Sequence, residues 1–284
     1  MPSTADTDSR VLYETPAAAV ARLVLNRAES RNAQDTHLLY DLNDAFDRAA
    51  ADDAVRVIIL AANGPHFSSG HDLRETGHLE NWKAHRRVGT YCGMSCGGAE
   101  PTLTREKELF QGLCERWAAI PKPTIAAVQG KCISGGLMLV WPCDLVVAAD
   151  DAQFQDNTLE MGVGGVEYFA HPYELGARKA KELLFTSDWL SAAEAMRLGM
   201  VNHVVPRAEL ESATLKLAER IAKKSPMALK LAKEAVNGAL NAQGRKIAMD
   251  NAFHLHQLAH SHNMQVHGMP VDPAFFQPGP LKKP

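Results

Sequence analysis

The chain has 284 residues, 46% of them hydrophobic and 22% charged, with a formal charge of -3 at neutral pH. That composition is ample for a sizeable core and carries no long basic block, which argues against nucleic acid as the main partner and leaves anionic ligands to local arginines. Residues 1–10 read as a flexible polar start without the basic and apolar stretches of a signal peptide, and no apolar run is long enough to span a bilayer, so no membrane partner and a cytoplasmic location are expected. The five cysteines are odd in number and lack disulfide spacing, which fits reduced thiols; Cys92 and Cys96 read as free thiols in a loop.

The first strands fall at Val11–Tyr13 and Val20–Leu25. A helix follows, capped by Asp35 or Thr36, in which Leu38, Leu42, Ala45, Phe46 and Ala49 recur at helical spacing. The β-branched run ending at Ala62 is a buried strand that leads into Phe67-Ser68-Ser69-Gly70-His71-Asp72-Leu73. Between Thr76 and Pro121 lies a long stretch in which Leu109, Phe110, Leu113 and Trp117 mark one helix, while Gly89 to Pro101 is irregular. Thr124–Val128 is the next buried strand, and it leads into Gln129-Gly130-Lys131-Cys132-Ile133-Ser134-Gly135-Gly136. Leu137–Trp141 reads as a short buried helix stopped by Pro142, and Ala152–Gln155 as a short strand. Helices are predicted at Glu209–Lys224, Pro226–Ala242 and Lys246–His267. The proline-rich tail, 269–284, is expected to run extended over a neighbouring surface or to be disordered. Strands alternating with helices in this way indicate an α/β fold with buried sheets.

Both glycine segments sit at strand exits, where glycine permits positive φ and lets a ligand approach the main chain. Two backbone N–H groups aimed at one carbonyl oxygen would stabilise charge developing there. Together with Leu23-Val24-Leu25-Asn26-Arg27, Arg31-Asn32-Ala33, Cys143-Asp144-Leu145-Val146-Val147-Ala148-Ala149, the segment Gly176–Thr186, the segment Ala193–Asn202 and Ser225–Lys230, they resemble the crotonase (enoyl-CoA hydratase/isomerase) superfamily in order and content. The resemblance spans about Val20 to Gly238. It implies a crotonase-like ββα spiral core over 11–205, with an extended active-site loop near 76–121, and a C-terminal helical trimerisation region over 206–268. It also implies a homotrimer or dimer of trimers, and an acyl-CoA thioester substrate in which CoA enters as part of the substrate, with no separate cofactor. By the same resemblance the N–H groups of His71 and Gly135 are the oxyanion donors and Asp72 is their structural neighbour. Arg27, Arg31, Ala33, Ser69 and Arg74 lie where CoA and substrate are held, arginine being suited to phosphate by its fixed fork. The stretch near 76–121 is read either as a shaper of the acyl pocket or as a mobile surface loop.

The acid/base positions depart from the family pattern. Hydratases of this family use two glutamates, and alignment by the glycines puts Met138 and Thr158 at those positions, where they enter as substrate-contacting residues only. The search for a carboxylate therefore moves to Glu167, read as lying at a helix start facing the pocket, then to Glu160, then to Asp156 as a turn residue beside Asn157. Met138, Trp141 and Phe169 are candidates for an acyl pocket or for core. His254, His256, His260 and His262 read as a polar helix at a subunit contact, and no metal site is expected because no carboxylate shares their face. The leading function is an acyl-CoA enzyme of the enoyl-CoA hydratase/isomerase type, a lyase or isomerase that stabilises a thioester enolate. Its alternatives are an acyl-CoA hydrolase or C–C cleaving enzyme of the same fold, a non-catalytic acyl-CoA binder, and, more distantly, a serine-protease relative of the same fold, for which Ser69 and Ser134 lack a well-placed histidine and acid.

Overall fold

Alternation along the strands decides which core each residue serves. In Val57–Ala62, Ile58 and Leu60 face one apolar cluster and Val57 and Ile59 face another, as the two-residue period of a strand requires. The computed structural model describes residues 9–277, so 1–8 and 278–284, to which the flexible start and much of the proline-rich tail belong, lie outside the described residues.

Among the described residues, nine strands form two sheets. The larger has the order β1 (Val11–Ala17), β2 (Val20–Leu25), β3 (Val57–Ala62), β4 (Thr124–Val128), β6 (Leu145–Ala149), β9 (His203–Val205), antiparallel only between β1 and β2. The smaller joins β5 (Lys131–Ile133), β7 (Gln153–Gln155) and β8 (Leu190–Ser191). Parallel bridges from Ser68 to Cys132 and from Gln34 to His71 lay the first glycine segment along the edge of the smaller sheet. One face of the large sheet is covered by the helix Thr36–Ala51, whose N-terminal amide at Leu38 is capped by the Asp35 side chain at 2.8 Å, as predicted. The helix Leu210–Ala222 covers the opposite face through Leu210, Ala218 and Ala222.

The C-terminal helices form at Leu210–Ala222, Pro226–Ala242 and Arg245–His267, close to the predicted bounds. No described helix is long and apolar enough to cross a membrane. All five cysteines are free thiols, with Cys92 and Cys96 exposed in the irregular stretch. The tail differs from its prediction over 269–277. It folds back on its own chain, the Asp272 N–H donating to the Met161 carbonyl at 2.8 Å, and ends in a turn at Pro273–Phe276.

Asp156 is no turn residue. It is fully buried and ties four segments together: its Oδ1 accepts from the Thr158 N–H (3.0 Å) and hydroxyl (2.6 Å) and from Ser134 Oγ, while Oδ2 accepts from the Val166 N–H (3.2 Å) and from His171 Nε2 (2.8 Å). Burial alone would raise its pKa, but the His171 hydrogen bond and charge, followed by the Thr158 donors, hold it below the usual value. A carboxyl depressed in the folded state stabilises the fold above its unfolded pKa and ceases to as pH falls through the folded value, so this contribution is whole at neutral pH and lost only in strong acid. Asp156→Asn leaves His171 buried without its acceptor and is expected to cost about 3–5 kcal/mol, seen as a fall in Tm of roughly 10 °C by calorimetry at neutral pH.

Candidate active site

The two glycine segments meet. Gly70 has φ +89°, and a Cβ there would lie 2.9 Å from the Ile133 carbonyl and 3.2 Å from the Gly135 nitrogen, so only glycine allows this approach. A Cβ at Gly135 would lie 3.1 Å from the His71 nitrogen and 2.9 Å from its ring. The amides flanking His71 are engaged, Gly70 with Ser68 Oγ and Asp72 with the Gln34 carbonyl, whereas the N–H of Gly135 falls in the first turn of the 3-10 helix Ser134–Gly136, where intrahelical acceptors are lacking. Ser134 itself is held at φ 43°, left-handed for a non-glycine residue, with its hydroxyl donating to Asn157 Oδ1 at 2.7 Å. That hydroxyl is thus engaged with Asn157, and none of its hydrogen-bond partners among the described residues is a histidine.

These segments form one wall of a cavity of about 450 Å³, lined also by Ser69, Asp72 and Thr158. Its apolar surface comes from Phe110, Met161, Val163, Val166, Phe275 and Phe276. Met138 and Trp141, by contrast, are buried in the main core and do not line this cavity; the Met138 carbonyl accepts from the Cys114 thiol. Phe169 lies against a separate hollow beside Pro172 and Leu255.

Glu167 lies in the cavity wall and is 3% exposed. The nearest helix starts only at His171, so no helix N-terminus acts on Glu167, and the expected helix start is replaced by an irregular segment. Two imidazoles act instead: His71 Nε2 donates to Oε2 at 3.2 Å, and His256 Nε2 lies 3.4 Å from Oε1. Burial pushes the carboxyl up, but the charges of His71 and His256 and the His71 hydrogen bond outweigh it and hold the group well below the usual carboxylate range. The His71 ring stacks on Phe110 at 3.9 Å, and its Nδ1 is buried without a protein partner among the described residues.

Glu160 is exposed and outside the cavity. The 3-10 turn Thr158–Met161 explains this, because three residues per turn bring Thr158 and Met161 to the cavity and turn Glu160 away. Arg27 is also redirected: it lies 3.2 Å from Asp35 and 3.1 Å from Asp72 and donates to the Ala33 carbonyl at 2.6 Å, so its fork positions the turn and has little left for a phosphate. Arg31 is exposed, and Arg74 is 77% exposed beside Asp72, both free to meet an anion from solvent.

Two contributions were missed in the sequence. The stretch near 76–121 is ordered into His78–Ala84, Glu100–Glu106, a π-helical turn Lys107–Gly112 and Leu113–Ala118, and it delivers Arg105, Glu106 and Phe110 to the cavity. Arg105, Glu106 and Glu108 look like a solvated charge run, yet all three are buried. Arg105 donates to Thr36 Oγ1 at 3.0 Å, and Glu108 accepts from the Tyr40 hydroxyl at 2.8 Å. His256 and His260 also turn inward rather than to a subunit contact: their Nε2 atoms are 2.9 Å apart, and Glu106 Oε2 lies 3.5 Å from that of His260. Burial lowers the His260 pKa, but its contact with Glu106, together with the Pro270 carbonyl, raises it to about 9.

Comparison with known proteins gives the same family from several sides. The enoyl-CoA hydratase/isomerase family model matches residues 15–91 and 93–271. A Mycobacterium tuberculosis protein whose name assigns it provisionally to the enoyl-CoA hydratases is 44% identical over 263 residues, covering 91% of this chain and 83% of that protein. The crystal structure of a probable enoyl-CoA hydratase from Mycobacterium smegmatis superposes with a TM-score of 0.83 at 47% identity, covering 92% of this chain and 99% of that one. One from Mycobacterium thermoresistibile gives 0.84 at 45% identity with the same coverage.

Proposed function

The chain belongs to the enoyl-CoA hydratase/isomerase family, and from that premise we propose that it polarises an acyl-CoA thioester between the N–H groups of His71 and Gly135 and moves protons with Glu167. The observation that carries this reading is the juxtaposition of a buried carboxylate, hydrogen-bonded to His71 at 3.2 Å, with the close approach of the two glycine segments, in which the His71 nitrogen lies 3.1 Å from where a Cβ on Gly135 would stand. Donors fixed by the fold stabilise the enolate oxygen without reorganising as its charge grows. For hydration of a 2-enoyl thioester, water adds through oxygen to C3 and gives a proton to Glu167; C2 takes a proton back, and water is consumed whole. For double-bond migration the same carboxylate carries one proton between C4 and C2. A carboxylate held in its ionised form suits the accepting role in either case.

Arg31 and Arg74 are the arginines best placed to meet the CoA phosphates, while Arg27 holds the turn through Asp72. The His71–Glu167 pair also supports a hydrolytic or C–C cleaving reading, because such a reaction needs one carboxylate as base or nucleophile and Glu167, oriented by His71 Nε2, stands in the cavity wall. Products distinguish these: crotonyl-CoA, 3-enoyl-CoAs and cyclic keto-acyl-CoAs, incubated with the protein and followed by mass spectrometry, give a gain of water, an isomer, or cleavage. No product alongside tight CoA-ester binding would instead identify a binder.

The helix Pro226–Ala242 buries no side chain and exposes Met227, Leu231 and Val236, while Arg245–His267 exposes Ile247, Leu255 and Leu258. We read these faces as joining copies of the chain into a trimer or a dimer of trimers. Light scattering is expected to give a multiple of three chains; a monomer contradicts it.

Glu167→Gln is expected to lower kcat at least about 100-fold on whichever thioester is turned over. A loss of only a few-fold would remove Glu167 from the proton path. Gly135→Ala places a methyl 2.9 Å from the His71 ring and 3.1 Å from its amide nitrogen, and is expected to cost about 10²–10³-fold in kcat while the far-ultraviolet circular dichroism is unchanged.

A further inference from the structure

Glu106, His256 and His260 converge from two separate elements. Glu106 ends the helix Glu100–Glu106, immediately before a π-helical turn of the kind that often marks a functional site. His256 and His260 are one turn apart on Arg245–His267. Both imidazoles are fixed in the same sense by the main chain, with His256 Nδ1 donating to the Gly165 carbonyl at 2.7 Å and His260 Nδ1 donating to the Pro270 carbonyl at 2.6 Å. With both Nδ1 atoms committed as donors, the two Nε2 atoms at 2.9 Å share a cation, either a proton held on one ring or a metal ion bound by both. Gln257 donates to Glu106 Oε2 and orients the carboxylate.

We propose that these three residues bind a divalent transition-metal ion of the zinc class at the wall of the cavity. The donor separations are 2.9 Å between the nitrogens, and 3.5 and 3.9 Å from Glu106 Oε2 to His260 and His256. A point about 2.0 Å from all three atoms lies inside that triangle, which is the zinc–imidazole and zinc–carboxylate bond length. Two imidazoles and one carboxylate form the donor set of an open zinc site, and the carbonyls behind each Nδ1 supply the outer contacts that such histidines need. All three side chains line the cavity, so a fourth position faces the space where Glu167 Oε1 lies 3.4 Å from His256 Nε2. The site stands whether the reaction is hydration, isomerisation or hydrolysis.

The test titrates chelator-treated full-length protein with Co²⁺ alone, read by visible absorption, and then displaces the Co²⁺ with Zn²⁺. One Co²⁺ per chain with the intense spectrum of a four-coordinate site is expected. His260→Asn and the near-isosteric Glu106→Gln are each expected to weaken binding by more than about 100-fold. His262→Asn, on the exposed face of the same helix, leaves it unchanged. The parent protein needs no substitution to decide the question: absence of the cobalt spectrum would mean that the imidazoles share only a proton, and would overturn the site. Equal loss in His262→Asn and His260→Asn would also overturn it, since binding would then lie elsewhere on the helix.

Discussion

One buried carboxylate organises this cavity. Asp156 accepts from Ser134, Thr158, Val166 and His171, residues that belong to the second glycine segment, a 3-10 turn, the segment carrying Glu167 and the start of the next helix. A charged acceptor satisfied on both oxygens in a dry interior is far stronger than the same bonds in water. Its geometry sets where Gly135, Thr158 and Glu167 stand relative to one another. Ser134, kept in a left-handed conformation with its hydroxyl in the same network, transmits that placement to the Gly135 amide one residue on. The placement of these groups thus depends on a residue that does not line the cavity.

The opposite wall is built by elements far apart in sequence. The helical stretch 100–118 contributes Arg105, Glu106 and Phe110, the last long helix contributes His256 and His260, and the returning tail contributes Pro270 and Phe275. Phe110 stacks on His71, so the wall that shapes the cavity also fixes the ring that touches Glu167. Charge is concentrated here to a degree unusual for an interior: Glu106, Glu167 and Arg105 are all buried. Such groups persist only when paired: Glu75 lies 3.4 Å from Arg105, and the histidines are the partners of Glu106 and Glu167.

Much of this arrangement was legible in the sequence, and the parts that were not share a cause. The strands Val20–Leu25 and Thr124–Val128 and the Asp35 cap are local: period, β-branching and a capping side chain specify them within a few residues. The glycine segments are local too, because a strand exit followed by glycine advertises available backbone. Glu167 could be singled out, but its partners could not, since His71 and His256 are separated from it by most of the fold. Asp156 looked like a turn residue beside Asn157 because its four partner segments have no sequence proximity to reveal them. Arg105, Glu106 and Glu108 carry no local signal of burial, because charges ordinarily face solvent and only the tertiary packing of their helical stretch buries them. His256 and His260 seemed to lack a carboxylate because Glu106 belongs to a helix far away in sequence, and the direction of Glu160 is decided by a 3-10 turn that its neighbours in sequence do not reveal.

The central claim is that a thioester carbonyl oxygen is polarised between the His71 and Gly135 amides. The most direct measurement is the infrared stretching frequency of an acyl-CoA labelled with ¹³C at that carbonyl, recorded free in water and bound to the protein. Two donors fixed by the fold predict a clear shift to lower frequency on binding. A bound carbonyl at or above its frequency in water would contradict the account.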